Sequence, residues 1–218
     1  MALGKEPPLF RCRCSALGKL MTPAKTKTGL SETAKTMLVE WYKEQLYSRR
    51  RQVDSKYMTK GNLCEDDSIA MLDPTWVNNK EQFANDYMQG EPDVITDTHI
   101  IDIKNSWDFM TFPLFSKVLP SKDYGWQVLG YMELVGRQHG AVIYTLMDTP
   151  AELVAYEYKK AGYNSLQVPD DFKAQFQYAH LPKKLRVKRF EVEYDAEKVE
   201  AIKLKVDEAR KFLACLTF

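Results

Sequence analysis

Hydrophobic positions along this chain repeat with two different periods, and the period changes where turn-forming residues fall. Leu30, Ala34, Met37, Leu38, Trp41 and Gln45 follow helical spacing after Ser31, a good cap, with Glu32 in the first turn. This predicts a helix over about 31–50. A second helix is predicted over about 60–72, bounded by Pro74. Residues 82–105 alternate in short runs and predict a three-stranded meander over 82–87, 88–96 and 99–105. A proline-containing connection over 112–120 leads to a helix over about 121–136. Residues 140–147 read as a buried strand, 187–194 as a half-exposed one, and amphipathic helices fall near 149–162 and 169–179. In the last helix, about 195–214, Val199, Ile202, Val206, Ala209 and Leu213 form one stripe. Residues 1–30, with Pro8, Gly18, Pro23 and Gly29, read as an irregular arm holding one short helix near 16–21. This order of elements predicts an α/β sandwich with one mixed sheet.

The most informative alternation is in 99–105. Ile101 and Ile103 point to one face, so Asp102 and Lys104 point together to the other. A two-residue turn at Asp97-Thr98 pairs Thr96 with His99, Ile95 with Ile100, Val94 with Ile101 and Asp93 with Asp102. Two aspartates facing each other repel and weaken a sheet. A divalent cation between them removes the objection. A three-residue loop would instead send Asp93 to the opposite face. Taken alone, an Asp-x-Lys strand is also compatible with a solvated ion pair.

The 218 residues suit one domain over 1–218, with 44% hydrophobic residues. The 31 basic and 30 acidic residues nearly cancel, so only the distribution of charge can speak for or against a nucleic-acid partner. No apolar run is long enough to cross a bilayer, and the first residues lack a signal peptide's apolar stretch. A cytoplasmic protein with no membrane partner is the expectation. Cys12, Cys14, Cys64 and Cys215 form no CxxC array or disulfide framework. His99, His139 and His180 lack the spacing of a histidine zinc site.

Two aspartates are too few ligands for a catalytic Mg²⁺, which favours six oxygens. Glu65 is the best third carboxylate, with Asp66 and Asp67 competing, and Gly61 one turn earlier would allow close approach of backbone or ligand. Gln127 and Tyr131, four apart in a predicted helix, share a face. Basic residues cluster at Arg49, Arg50 and Arg51 and at Lys183, Lys184, Arg186, Lys188 and Arg189, which suits phosphate contacts as well as plain solvation. Trp107 and Phe109 follow the Asp-x-Lys strand and are placed either to stack on bases or to fill core.

In order and spacing, Glu65, Gly90-x-Pro-Asp93, Asp102-Ile-Lys104 and Gln127-x-x-x-Tyr131 resemble the PD-(D/E)XK nuclease superfamily. The last of these resembles its RecB-like branch, with phage-lambda-type exonucleases and YqaJ-type viral recombinases. Arg13-Cys-Ser-Ala-Leu-Gly-Lys19-Leu-Met21 and Lys104-Asn-Ser-Trp-Asp are similar to phage recombination exonucleases, so the likeness runs from about residue 11 to 131. The resemblance implies a restriction-endonuclease-like sandwich. It implies that Glu65, Asp93, Asp102 and the backbone carbonyl of Ile103 hold Mg²⁺ or Mn²⁺, as one or two ions. Lys104 would orient or deprotonate the attacking water, aided by a pKa that burial lowers towards that of a base. Gln127 would position Lys104 or the substrate, with Tyr131 beside it. Arg13, Lys19, Arg49, Arg50, Arg51, Trp107, Lys183, Lys184 and Arg186 are the candidate DNA contacts. Iron–sulfur members need a cysteine trio near the C-terminus, and only Cys215 lies there, so no cluster is expected.

The activity implied is metal-dependent exonucleolytic hydrolysis of linear double-stranded DNA from its ends, 5′ to 3′, in phage-type recombination or repair. The location implied for a phage-encoded chain is the host cytoplasm. A ring-shaped homo-oligomer and a single-strand-annealing recombinase are the implied partners. An endonuclease or end-processing nuclease with the same site, and a non-catalytic nucleic-acid-binding module, stay open as alternatives.

Overall fold

In a computed structural model that describes residues 8–26, 28–51, 55–163 and 167–217, the alternating segment becomes an inner strand between two helical layers. The elements in chain order are β1 (Cys12–Arg13), α1 (Leu17–Leu20), α2 (Glu32–Leu46), α3 (Lys56–Leu63), α4 (Glu65–Leu72), β2 (Phe83–Ala84), β3 (Met88–Gly90), β4 (Val94–Ile95) and β5 (His99–Asn105). They continue with α5 (Lys122–Val135), β6 (His139–Thr145), α6 (Ala151–Lys160), α7 (Asp170–Ala174), β7 (Val187–Glu193) and α8 (Ala196–Ala214).

The main sheet has the order β4-β5-β6-β7. β4 and β5 form an antiparallel hairpin, β5 and β6 run parallel, and β7 returns antiparallel to β6. The parallel step needs a long crossover, and α5 supplies it. One sheet face (Ile100, Val142) packs on Val128, Leu129 and Met132 of α5 and is continuous with Val199, Ile202 and Val206 of α8. The other face (Val94, Ile101, Ile103, Ala141, Ile143) packs on Ile69 of α4. A mixed sheet between helices is the α/β restriction-endonuclease-like sandwich that the sequence predicts.

The hairpin register is the one a two-residue turn requires: Val94 pairs with Ile101 and Ile95 with Ile100, and the Thr96 N–H reaches the His99 carbonyl at 2.9 Å. Other boundaries differ. The meander is split: β3 pairs with β1 and β2 in a separate three-stranded sheet, and only β4 joins β5. Pro92 has no N–H to extend a ladder, and the Asp93 carbonyl is taken by the Asn79 N–H at 2.8 Å.

The helix predicted over 60–72 is two helices. Ser55 starts α3 early by accepting the Met58 N–H, and the chain bends at Cys64, where φ is −99° and ψ is 3°. The helix predicted over 169–179 shrinks to α7, because the Asp148 carboxylate captures the backbone N–H groups of Tyr178 and Ala179. The arm is only partly irregular. Residues 1–7 and 27 lie outside the described residues, but Phe10, Cys12, Cys14, Leu17 and Leu20 are buried core against α5.

Candidate active site

β5 carries Asp102 and Lys104 on its α5 side. Asp102 is fully buried, and its Oδ1 accepts from Lys104 Nζ at 3.0 Å and from Gln127 Nε2 at 2.9 Å. Gln127 Nε2 also donates to the Tyr131 hydroxyl at 3.0 Å. Residues 124, 127 and 131 share one face of α5, so Tyr124 lies there too, its ring centroid 4.7 Å from Lys104 Nζ. Tyr131 is buried. A Cβ on Gly90 would lie 2.5 Å from its ring, which is why a glycine opens the Gly90-x-Pro-Asp93 turn. Asp93 reaches β5 with its side chain: Oδ2 accepts the Ile103 N–H at 2.6 Å.

Glu65, the first residue of α4, faces a cleft of about 670 Å³ that Asp93, Ile103, Lys104, Tyr124 and Trp107 also line. Its Oε1 accepts from Asn78 Nδ2 at 2.8 Å and pairs with Lys80 Nζ at 3.3 Å. Gly61 lines the same cleft, and a Cβ there would meet nothing within 4 Å, so this glycine leaves open space rather than admitting backbone.

Burial raises the pKa of Asp93, and the Asp102 charge adds to the rise; Lys104 and the Ile103 N–H only partly offset it. Burial also raises Asp102, against the pull of Lys104. For Lys104 burial acts to lower the pKa, but Asp102 and Asp93 together outweigh it and the net direction is up. The expectation of a lysine depressed towards a base is therefore corrected: the two aspartates hold it as an ammonium ion. Burial, then the Asp102 charge, pushes the Tyr131 phenol well above its ordinary value.

The three expected carboxylates flank the cleft without gathering into one cluster. Among the described residues, no three His, Cys, Asp or Glu side chains lie close enough to share a metal ion. Glu65 turns to Asn78 and Lys80, and Asp93 turns to the Ile103 N–H. The donor chemistry nonetheless fits a hard divalent cation, which takes carboxylate and carbonyl oxygens. Asp102 Oδ2 is buried with no hydrogen bond; Lys104 Nζ lies 2.8 Å from it but is aligned on Oδ1. The buried carboxylate thus has the Lys104 ammonium as its nearest cation, and Oδ2 keeps lone-pair capacity that a divalent cation could use.

The candidate DNA contacts separate. Arg13 and Lys19 line a shallow groove beside Trp41, which shares Ser15 with the cleft. Arg51 is tied to Glu40 at 3.1 Å, while Arg49 and Arg50 are exposed. Lys183 Nζ donates to the Leu72 carbonyl and Arg186 Nε to the Leu181 carbonyl; Lys184 is exposed. Trp107 is only 5% exposed, with Lys56 Nζ 4.2 Å from its ring centroid and Tyr57 edge-on against it, so its ring is not free to stack on a base. Phe109 is exposed.

The sequence reading missed Tyr124, whose three- and seven-residue offsets from Gln127 and Tyr131 were an available signal. It also missed Asn78 and Lys80, which sit in an irregular loop with no period to mark them. Ser68 was missed as well: its hydroxyl lies 2.7 Å from the Cys64 carbonyl, 2.8 Å from Asn105 Oδ1 and 3.2 Å from Thr145 Oγ1.

No family model matches this sequence, and no curated protein matches it. Solved structures do. A phage-related exonuclease from Haemophilus somnus 129PT superposes with a TM-score of 0.76 at 24% identity, covering 94% of this chain and 93% of the other. The alkaline exonuclease LHK-Exo from Laribacter hongkongensis gives 0.62 at 14% identity over 94% and 89%, and its dAMP complex gives 0.63 at 15% over the same shares. This chain shares the fold of these two exonucleases nearly end to end.

Proposed function

We propose that this chain is a metal-dependent DNA exonuclease of the PD-(D/E)XK superfamily, degrading linear duplex DNA from its ends. The observation that carries the reading is the buried Asp102, hydrogen-bonded by Lys104 and Gln127, directly behind a cleft that its neighbours Ile103 and Lys104 line together with Glu65 and Asp93. The shared fold with two exonucleases supports it.

Glu65, Asp93, Asp102 and the Ile103 carbonyl would hold Mg²⁺ or Mn²⁺. The chemistry such an ion supplies is a lowered pKa for water and neutralisation of phosphate charge. Lys104 would donate hydrogen bonds to the attacking water or the phosphate oxygens and stabilise charge that develops there. Gln127 fixes the Asp102 carboxylate from behind, and Tyr131 fixes Gln127. Polarity from 5′ to 3′, a ring-shaped homo-oligomer and a single-strand-annealing recombinase partner belong to the same proposal. So does a cytoplasmic setting: among the described residues no helix is long and apolar enough to cross a membrane.

The test is to incubate the protein and Asp102→Ala with end-labelled linear duplex, supercoiled circle and single strand, in Mg²⁺ and in EDTA. Mg²⁺-dependent release of nucleotides from linear ends, lost in the variant, is the expected result. Cutting of the closed circle would make it an endonuclease instead. The non-catalytic binding module is the second reading, favoured by the lack of three converging carboxylates among the described residues. Calorimetry that detects no Mg²⁺ or Mn²⁺ binding at millimolar levels would select it.

A further inference from the structure

Beside the cleft runs a second groove of about 620 Å³, between the start of α3 and one face of α6. Its walls include Lys56 and Tyr57 from α3 and Leu153, Tyr156 and Lys160 from α6. Tyr57 lines both this groove and the cleft, so the two adjoin at that residue. Tyr57 is 55% exposed and Tyr156 57%, large fractions for aromatic side chains.

The groove's geometry is braced. Lys56 Nζ reaches Glu157 Oε2 at 3.1 Å, joining α3 to α6. Tyr57 leans edge-on against Trp107, centroid to centroid 5.9 Å, which fixes its plane at the junction. Tyr156 and Lys160 are four apart on α6 and present an aromatic ring and an ammonium side by side. Lys160 is exposed and makes no ion pair among the described residues, unlike Lys56.

We infer that this groove binds single-stranded DNA, the strand that a nuclease working on a duplex end leaves unpaired; the inference rests on the proposed nuclease reading. In a duplex the faces of the bases are hidden in the stack, so exposed aromatic rings favour unpaired bases. An ammonium beside the ring suits the phosphate that follows each base. Stacking on tyrosine is tolerant of sequence, as a strand passing away from a cleavage site requires.

The experiment measures binding of a short fluorescein-labelled oligothymidylate to the full chain by anisotropy in EDTA, so that no cleavage intervenes. Tyr156→Ala is expected to weaken binding about fivefold or more, the lower end of the loss of one stacked base. Tyr156→Phe, which keeps the ring, is expected to restore it. Lys160→Ala is expected to reduce the slope of log affinity against log salt by about 0.7, the effect of one phosphate contact on a single strand. Melting temperatures of the three variants should match the parent.

Unchanged affinity in Tyr156→Ala together with an unchanged salt slope in Lys160→Ala overturns the inference and leaves the groove to a protein partner. So does failure of the parent chain to bind the oligonucleotide at low salt. The nuclease reading stands or falls separately. If Asp102→Ala cleaves linear duplex like the parent, that reading fails whatever the groove binds. If Asp102→Ala is inactive while the groove variants bind normally, only the groove assignment fails.

Discussion

Asp102 and Lys60 are both fully buried ionisable side chains, and their surroundings differ. Lys60 Nζ donates to the Trp107 carbonyl at 2.8 Å and to Thr149 Oγ1 at 3.0 Å. Burial pushes its pKa down to about 8, with Cys64, Asp108 and Asp148 pulling the other way. It is a clamp, tying α3 to the loop that carries Trp107 and to the start of α6. Asp102 is held by a charged partner, Lys104, and by the Gln127 amide, and burial raises its pKa, disfavouring its charge as it does that of Lys60. Lys60 meets two neutral acceptors, and its charge still costs stability. Asp102, the proposed metal ligand, would keep coordinating capacity at a cost in stability.

The largest effect that tests this contrast is on cleavage. Asp102→Asn is expected to lower the rate on linear duplex by at least about a thousandfold, the scale of losing a main electrostatic element of a site. Its stability in metal-free buffer should stay within about 1–2 kcal/mol of the parent's, because relief of the repulsion between Asp102 and Asp93 offsets the lost pairing with Lys104. Denaturant titration beside a rate assay checks both, and a variant that is active or markedly unstable breaks the contrast.

Lys60→Ala should do the reverse. Stability falls by about 3 kcal/mol, since the Trp107 carbonyl and the Thr149 hydroxyl lose their donor and a cavity opens. Cleavage per folded molecule should fall less than tenfold. Lys60 also sets a pH signature. Between about 8 and the ordinary lysine value of 10.5, the folded chain has shed this proton while the unfolded chain retains it. Stability therefore rises with pH across that window, and the contribution is lost as pH falls through about 8. Relative to Lys60→Met, the parent should gain about 3 kcal/mol across the window, readable from denaturant midpoints on either side of it. A pH-independent difference would mean the lysine is not desolvated as its burial implies.

Gln127 lies between these extremes. It touches Asp102 but not the cleft, so Gln127→Leu should weaken Mg²⁺-dependent cleavage by about 10–100-fold, the usual cost of removing a partner behind a metal ligand. The loss should appear as a raised half-saturating Mg²⁺ concentration. A fall in maximal rate with unchanged Mg²⁺ dependence would move Gln127 from ligand positioning to substrate contact.

The two sides of this contrast were unequally legible. Asp102, Lys104, Gln127 and Tyr131 follow from period two in a strand and spacing of four in a helix, and the Asp97-Thr98 turn fixes the register that sends the Asp-x-Lys pair towards α5. Those are local rules acting over a few residues. Lys60 gave no such sign, because a lysine on an amphipathic helix reads as solvated. Its partners are 47 and 89 residues away, and only tertiary closure brings them together. The same holds for Glu65. Its helix was predicted without the bend at Cys64, and its hold on Asn78 and Lys80 comes from a loop with no periodicity. Local order wrote β5 and the facing side of α5 into the sequence, and packing set where the start of α4 stands.

Ser68 is where the two kinds of environment meet, and it carries the smallest expected effect. It is fully buried among neutral acceptors, as Lys60 is, with the Cys64 carbonyl, Asn105 Oδ1 and Thr145 Oγ1 around its hydroxyl. Yet it sits three residues after Glu65 on α4 and joins that helix to the end of β5, so it sets how far Glu65 stands from Asp102. Ser68→Ala should cost about 1 kcal/mol of stability, the ordinary worth of a buried hydrogen bond. If the joint positions Glu65, half-saturating Mg²⁺ should also rise about two- to fivefold while the rate at saturating Mg²⁺ holds. Loss of stability with an unchanged Mg²⁺ response would make Ser68 a clamp of the Lys60 kind, and would leave Glu65 to be positioned by Asn78 and Lys80 alone.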